Sequence, residues 1–191
     1  MKFMRPVRVL VLVLVSSVFV CGSAFQAAGE KQEEEINWMS LEEAFKATQK
    51  EPRKTIIDVY TDWCGWCKVM DKKTFRNPEV VKYINSHYYA VKLNAESKED
   101  IIIGGTKYAY DSEHRANSAA IALLQGQMSF PSIVYLDEKF NMIQPLPGYM
   151  EAKAFHQVIT FIGGDYHKKE SFEDYKLRTY PKLYSEAFAA F

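Results

Sequence analysis

The sequence predicts an α/β fold, with a mixed central β-sheet, helices on both faces and a helical C-terminal extension. Three observations lead there. Segments of helical period alternate with β-branched runs through the first half of the chain, which requires parallel pairing through crossovers. Two later strand-like runs, Ser132–Leu136 and Met142–Tyr149, are separated only by a turn and read as an antiparallel hairpin. Hydrophobic residues fill 48% of the 191 positions and aromatics 14%, enough to bury a core rather than leave the chain disordered.

The elements follow in order. Ser40-Leu41-Glu42-Glu43 has the pattern of a capping box, and Leu41, Ala44, Phe45 and Thr48 recur at helical spacing to about Lys50. Pro52 prevents easy continuation. Thr55–Tyr60 is a short β-branched run with one acid, Asp58, inside it, as expected of a buried central strand. Residues 62–66 turn out of that strand, and Cys64 is expected at the start of a helix that continues to Phe75. Asn77-Pro78 supplies an N-cap and a proline at N1 for a helix to about Asn85, and Tyr88–Leu93 is the next strand. Asn94–Tyr110 reads as irregular. Ala116, Ala119, Ala120, Leu123 and Leu124 mark a helix face with Gly126 as C-cap. Pro145 and Pro147 demote the returning strand to an edge. Phe155, Val158, Ile159 and Ile162 define a last core helix stopped by Gly163-Gly164. In the extension, residues 165–191, Ser171 and Asp174 can cap a short helix.

The N-terminus reads as an export signal. Lys2, Arg5 and Arg8 precede an apolar stretch from Val9 to Val20, and Gly22-Ser23-Ala24 offers a cleavage site after Ala24. That divides the chain into a signal peptide at 1–24, a polar linker at 25–35, a domain at 36–164 and the extension. A retained membrane anchor and lipidation at Cys21 are the alternatives, so the membrane is reached only through this segment if it stays uncleaved. Lys+Arg and Asp+Glu are both 24, and this balance gives no basic stripe for nucleic acid.

After removal of the signal the cysteines are Cys64 and Cys67, two residues apart in Cys64-Gly65-Trp66-Cys67. Such a pair cannot staple a long loop and suits a reversible local disulfide. A zinc site would need two more ligands. No second cysteine pair exists, and His87, His114, His156 and His167 lack ligand spacing. A helix N-terminus stabilises a thiolate, which marks Cys64 as nucleophile and Cys67, one turn in, as the resolving thiol.

The segment Val59-Tyr60-Thr61-Asp62-Trp63-Cys64-Gly65-Trp66-Cys67-Lys68 resembles the active-site segment of thioredoxins, with Trp66 where they carry proline. The resemblance covers about Ile36–Gly163 and is nearest to exported, periplasmic thioredoxin-like modules with the pattern Asp-Trp-Cys-x-x-Cys-Lys and a following Thr-Phe. It implies a thioredoxin-like fold and dithiol–disulfide exchange with protein substrates. It matches Asp58 to the buried acid that exchanges a proton with the second cysteine, Lys92 to that acid's neighbour and Pro131, after Phe130, to a cis-proline facing the disulfide. Gly148 matches a family glycine. Trp63, Gly65, Trp66, Phe130 and Pro131 then form a docking surface, and no metal or organic cofactor is called for. Direction stays open: an exporting compartment favours oxidation, whereas Lys68 and Thr74-Phe75 favour a reductase fed by a membrane electron donor. The alternative is a binding or chaperone module that uses the groove near Pro131 without redox turnover. Trp66 also restores a backbone N–H that proline lacks; aimed at the Cys64 sulfur, it would make the pair more oxidising than thioredoxin.

Overall fold

The computed structural model describes Met1 and residues 34–188. The expected signal peptide beyond Met1, and the linker up to residue 33, lie outside the described residues.

A five-stranded sheet in the order β1-β3-β2-β8-β9 carries the fold. Its strands are β1 (Trp38–Met39), β2 (Lys54–Tyr60), β3 (Tyr88–Asn94), β8 (Ser132–Leu136) and β9 (Met142–Pro147). Between them run α1 (Leu41–Lys50), α2 (Gly65–Lys73), α3 (Pro78–His87), α4 (Ser118–Leu123) and α5 (Ala152–Gly163). Two small hairpins, β4 (Ile101–Ile103) with β5 (Thr106–Tyr108) and β6 (Tyr110–Asp111) with β7 (Ala116–Asn117), are inserted after β3. β2 pairs parallel with β3 and antiparallel with β8, so the sheet is mixed as the alternation of elements predicts.

Local chemistry sets the helix starts. Ser40 and Glu43 complete the capping box, with the Glu43 N–H donating to Ser40 Oγ at 3.1 Å and the Ser40 N–H to Glu43 Oε2 at 2.8 Å. Asn77 Oδ1 accepts from the Glu79 N–H at 3.1 Å while Pro78 occupies the first turn. Successive residues of β2 face opposite sides. Ile56 joins Met70, Val80, Ile84, Phe155 and Ile159 in one core layer; Ile57 and Val59 join Leu41, Ala44, Val91 and Leu124 in the other. Asp58, two residues from Ile56, therefore faces the α2 side. β9 is an edge strand, and because Pro145 and Pro147 carry no N–H they blunt it against further pairing.

Three expectations need correction. The stretch Asn94–Tyr110 is not irregular: Gly104 and Gly105, both at positive φ (56° and 85°), close a two-residue loop between β4 and β5. That is the glycine pair such a hairpin needs. Ala116 belongs to β7 rather than to the helix face. α4 ends in a left-handed residue at Gln125 (φ 52°), with the Gly126 N–H bonded to the Ile121 carbonyl at 2.9 Å, so Gly126 follows the cap. α5 ends at Gly163 with Gly164 as its C-cap, as expected, and Asp165 (φ 59°) makes the left-handed turn after it. Gly163 also serves close packing, since a Cβ there would lie 2.8 Å from Tyr83 Oη and 3.0 Å from Tyr88 Oη.

The extension packs back on α5. After a 3-10 turn at Tyr166–Lys168, Ser171 caps α6 (Phe172–Asp174), and a π turn at Tyr175–Thr179 leads into α7 (Tyr180–Leu183). Tyr175 Oη donates to Thr160 Oγ1 at 2.8 Å, and Tyr180 Oη lies 2.9 Å from His156 Nδ1, both bonds reaching from extension to core helix. Buried Lys54, opening β2, ties in Glu138 at 2.5 Å and Asp165 at 3.0 Å.

Candidate active site

The C-terminal end of β2 and the N-terminal start of β8 share one end of the sheet, because Val59 pairs with Ser132. The turn after β2 brings Trp63 and Cys64 to that end, and the Phe130-Pro131 peptide, which is cis, enters β8 beside it. Cys64 is the N-cap of α2, where unpaired N–H groups and the helix dipole favour an anion. Its Sγ is bonded to Cys67 Sγ, with the Cα atoms 5.3 Å apart, and it accepts the Cys67 N–H at 3.1 Å. This corrects the expectation for Trp66: the N–H that meets the sulfur belongs to Cys67, a residue any Cys-x-x-Cys sequence has. The premise for a more oxidising pair therefore falls.

Trp66 contributes its ring. It is 61% exposed and leans on Tyr149, ring centroids 5.2 Å apart. Trp63 is 66% exposed, edge-on to Phe130 at 5.9 Å, with its indole N–H donated to Glu96 Oε1 at 2.9 Å. Two fixed indoles thus flank a pair whose own residues are buried, Cys64 at 4% and Cys67 at 3% exposure. Gly65 is exposed, and a Cβ there would meet nothing within 4 Å. The Gly148 N–H, at φ 102°, donates to the Pro131 carbonyl at 2.8 Å and fixes that peptide from the edge strand.

An ionic network joins β2, β3 and α2. Asp58 and Lys92 are direct partners across β2 and β3, and Lys92 Nζ lies 3.1 Å from Asp58 Oδ2. Lys92 also reaches Asp71 on α2, in a short contact, and sits over the rings of Tyr60, Trp38 and Phe75 at 5.0, 5.4 and 5.7 Å. Burial, with Asp58 at 2% exposure, pushes its carboxyl up to about 6 although Lys92 pulls the other way. Asp58 Oδ1 is buried and has no hydrogen-bond partner among the described residues. Burial acts to lower the Lys92 ammonium, but Asp58 and Asp71 outweigh it and hold it above its ordinary range. Asp71 was missing from the sequence-predicted set. Its signal was its place one helical turn after Cys67, on the face that looks at β2 and β3. A buried acid whose carboxyl is pushed up to about 6 can accept and return a proton.

The family model described as "Thioredox_DsbH: Protein of unknown function, DUF255" matches residues 23–171. The chain belongs to this family. Its stretch of resemblance extends to the DsbD thiol:disulfide interchange protein of Cronobacter sakazakii, 32% identical over 112 residues, which cover 56% of this chain and 16% of that protein. Human spermatogenesis-associated protein 20 is 28% identical over 67 residues, 35% of this chain and 8% of that protein. The chain thus spans a minor part of the length of these relatives. Among solved structures, a thioredoxin-fold protein from Helicobacter pylori superposes with a TM-score of 0.55 at 22% identity, covering 81% of this chain and 94% of that one. A DsbH oxidoreductase superposes at 0.50 and 17% identity, covering 73% and 92%. At these identities the likeness establishes the fold, which is thioredoxin-like. The chain carries a Cys64–Cys67 pair and has relatives that are thiol–disulfide oxidoreductases. Among the described residues no helix is long and apolar enough to cross a membrane.

Proposed function

We propose that this chain is a thiol–disulfide oxidoreductase that exchanges the Cys64–Cys67 pair with cysteines of protein substrates, working as a reductase in the cell envelope. The observation that carries this is a disulfide at a helix N-terminus with a buried, raised-pKa acid, Asp58, facing the same helix from the adjacent strand. In the reducing direction the Cys64 thiolate attacks a substrate sulfur and breaks the substrate disulfide. Cys67 then attacks Cys64 Sγ, closes the enzyme disulfide and releases the second substrate thiolate. Asp58 takes the proton that Cys67 must lose, and Lys92 orients that carboxylate. Trp63, Gly65, Trp66, Phe130 and Pro131 form the docking surface. No metal or organic cofactor takes part in these steps. Electrons return to the pair from a membrane donor, an expectation that rests on the resemblance carried by Lys68 and Thr74-Phe75. Export rests on the basic and apolar N-terminal segment, with cleavage after Ala24.

Insulin reduction with a dithiol regenerant tests the reading. Wild type turns over and Cys64→Ser does not. Absence of turnover in wild type, with peptide binding to the groove retained, would instead favour a binding or chaperone module.

A further inference from the structure

The exposed face of α2 carries a run of cations that begins just after Cys67. Cys67, Met70 and Thr74 point inward, and Asp71 is taken by Lys92. The outward arc of the helix holds Trp66, Lys68, Lys72 and Lys73, and Arg76 is exposed in the turn just beyond. Lys68 and Lys72 are one turn apart, and Trp66 and Lys73 lie two turns apart on a neighbouring line. Among the described residues none of these four cations forms a salt bridge, although the chain as a whole is charge-neutral. Trp63, in the turn before the pair, stands beside acids: its indole N–H is donated to Glu96, and Asp62 accepts from Asn94 at 3.2 Å. The nearest charge before Cys64 is thus Asp62, and the nearest after Cys67 is Lys68.

From this geometry we infer that α2 is a docking face for a protein partner that presents acidic residues beside the cysteines it exchanges. The inference rests on the redox reading above and specifies the partner's chemistry. Lys68 follows Cys67 directly, and Lys72, Lys73 and Arg76 extend the charged face away from the pair, so a partner segment that neutralises them runs along α2 from the cysteines it exchanges. An anionic membrane would satisfy the charge but offers no thiol. Like the potentials at other steered interfaces, the α2 face acts on the encounter rate and on orientation.

The test is the rate at which dithiol peptides reduce the oxidised protein, followed by its tryptophan fluorescence. A peptide thiolate attacks Cys64 Sγ, the Cys64–Cys67 bond breaks with release of the Cys67 thiolate, and the second peptide thiol displaces Cys64 and closes the peptide disulfide. Two peptides are compared, one with the cysteines flanked by glutamates and one by lysines, on wild type and on the combined Lys68→Gln, Lys72→Gln, Lys73→Gln and Arg76→Gln variant. At low salt the glutamate peptide should react about tenfold or more slowly with the variant than with wild type, the scale of electrostatic steering. The lysine peptide should gain, dithiothreitol should reduce both proteins equally, and the wild-type preference should fade in high salt. Equal rates of wild type and variant with both peptides would overturn the inference. With insulin turnover intact, that result would leave the redox reading standing. Charge-dependent binding to phosphatidylglycerol vesicles without any peptide preference would make α2 a membrane face and equally overturn it.

Discussion

Lys92 Nζ lies 3.1 Å from Asp58 Oδ2, yet the Asp58 carboxyl still holds its proton up to about pH 6. Desolvation outweighs the ammonium, and the like charge of Asp71 pushes the carboxyl in the same direction as burial. A charge held where water cannot reach it is an expense to stability and an asset to proton transfer, and both sides can be measured.

The stability effect has a definite sign. The folded chain binds the Asp58 proton more tightly than the unfolded chain, whose carboxyl titrates near 3.8. The cost of the carboxylate is absent below that value, grows with pH, and is complete above about 6. A shift of this size corresponds to about 3 kcal/mol. Asp58→Asn should therefore raise the unfolding free energy of the oxidised protein at pH 7.5 by up to about 3 kcal/mol, with the gain disappearing by about pH 3.5. Urea unfolding at the two pH values checks this; a variant less stable than wild type at pH 7.5 would contradict it.

Turnover should move the other way. If Asp58 accepts the Cys67 proton, the rate of protein disulfide reduction rises through about pH 6 as the carboxylate forms. Asp58→Asn should lose that rise and fall below wild type at neutral pH, with little change in KM. A variant that kept the wild-type pH profile would make Asp58 a structural residue only.

Asp71 is a third, separable member. Removing its charge frees Lys92 to attend to Asp58 alone and removes a like charge that raises the Asp58 carboxyl. Asp71→Asn should lower the Asp58 pKa, read by carboxyl NMR in the oxidised protein. A rise would mean that Asp71 acts by steering Lys92 toward Asp58.

Gly163→Ala tests the packing under the extension. Alanine is the better helix former, but its methyl would meet Tyr83 Oη and Tyr88 Oη, and Tyr88 Oη is held by a 2.7 Å bond to the Ile159 carbonyl. Overpacking of this kind costs about 1–3 kcal/mol, more than the propensity gain of under about 1 kcal/mol. The melting temperature should drop; an increase would show that the two tyrosines yield freely.

Much of this was legible from residue pattern. Ser40 with Glu43, and Asn77 with Pro78, marked their helices because capping is local chemistry, and Pro145 with Pro147 marked an edge because proline lacks a donor. β1 was not legible: two residues carry no period, and Trp38–Met39 becomes a strand only by pairing with Ala90 and Val91. The hairpin at Gly104-Gly105 was signalled by its glycine pair but hidden by short flanking runs. In the site, the cysteine pair, the aromatics and Asp58 could be named from spacing and resemblance. Asp71 looked like an ordinary surface acid until the sheet brought Lys92 beneath it. The misplaced N–H of Trp66 shows the limit, since which amide meets a sulfur depends on helix phase and not on composition.

The central claim is that Cys64 is the nucleophile through which this protein exchanges disulfides with other proteins. The most direct measurement is trapping: react reduced Cys67→Ser and reduced Cys64→Ser with a disulfide-bonded protein substrate, and identify the adducts by mass spectrometry. Cys67→Ser should accumulate a mixed disulfide at Cys64 that cannot resolve, while Cys64→Ser should form little or none. Preferential trapping at Cys67, or no adduct with either variant, would contradict the account.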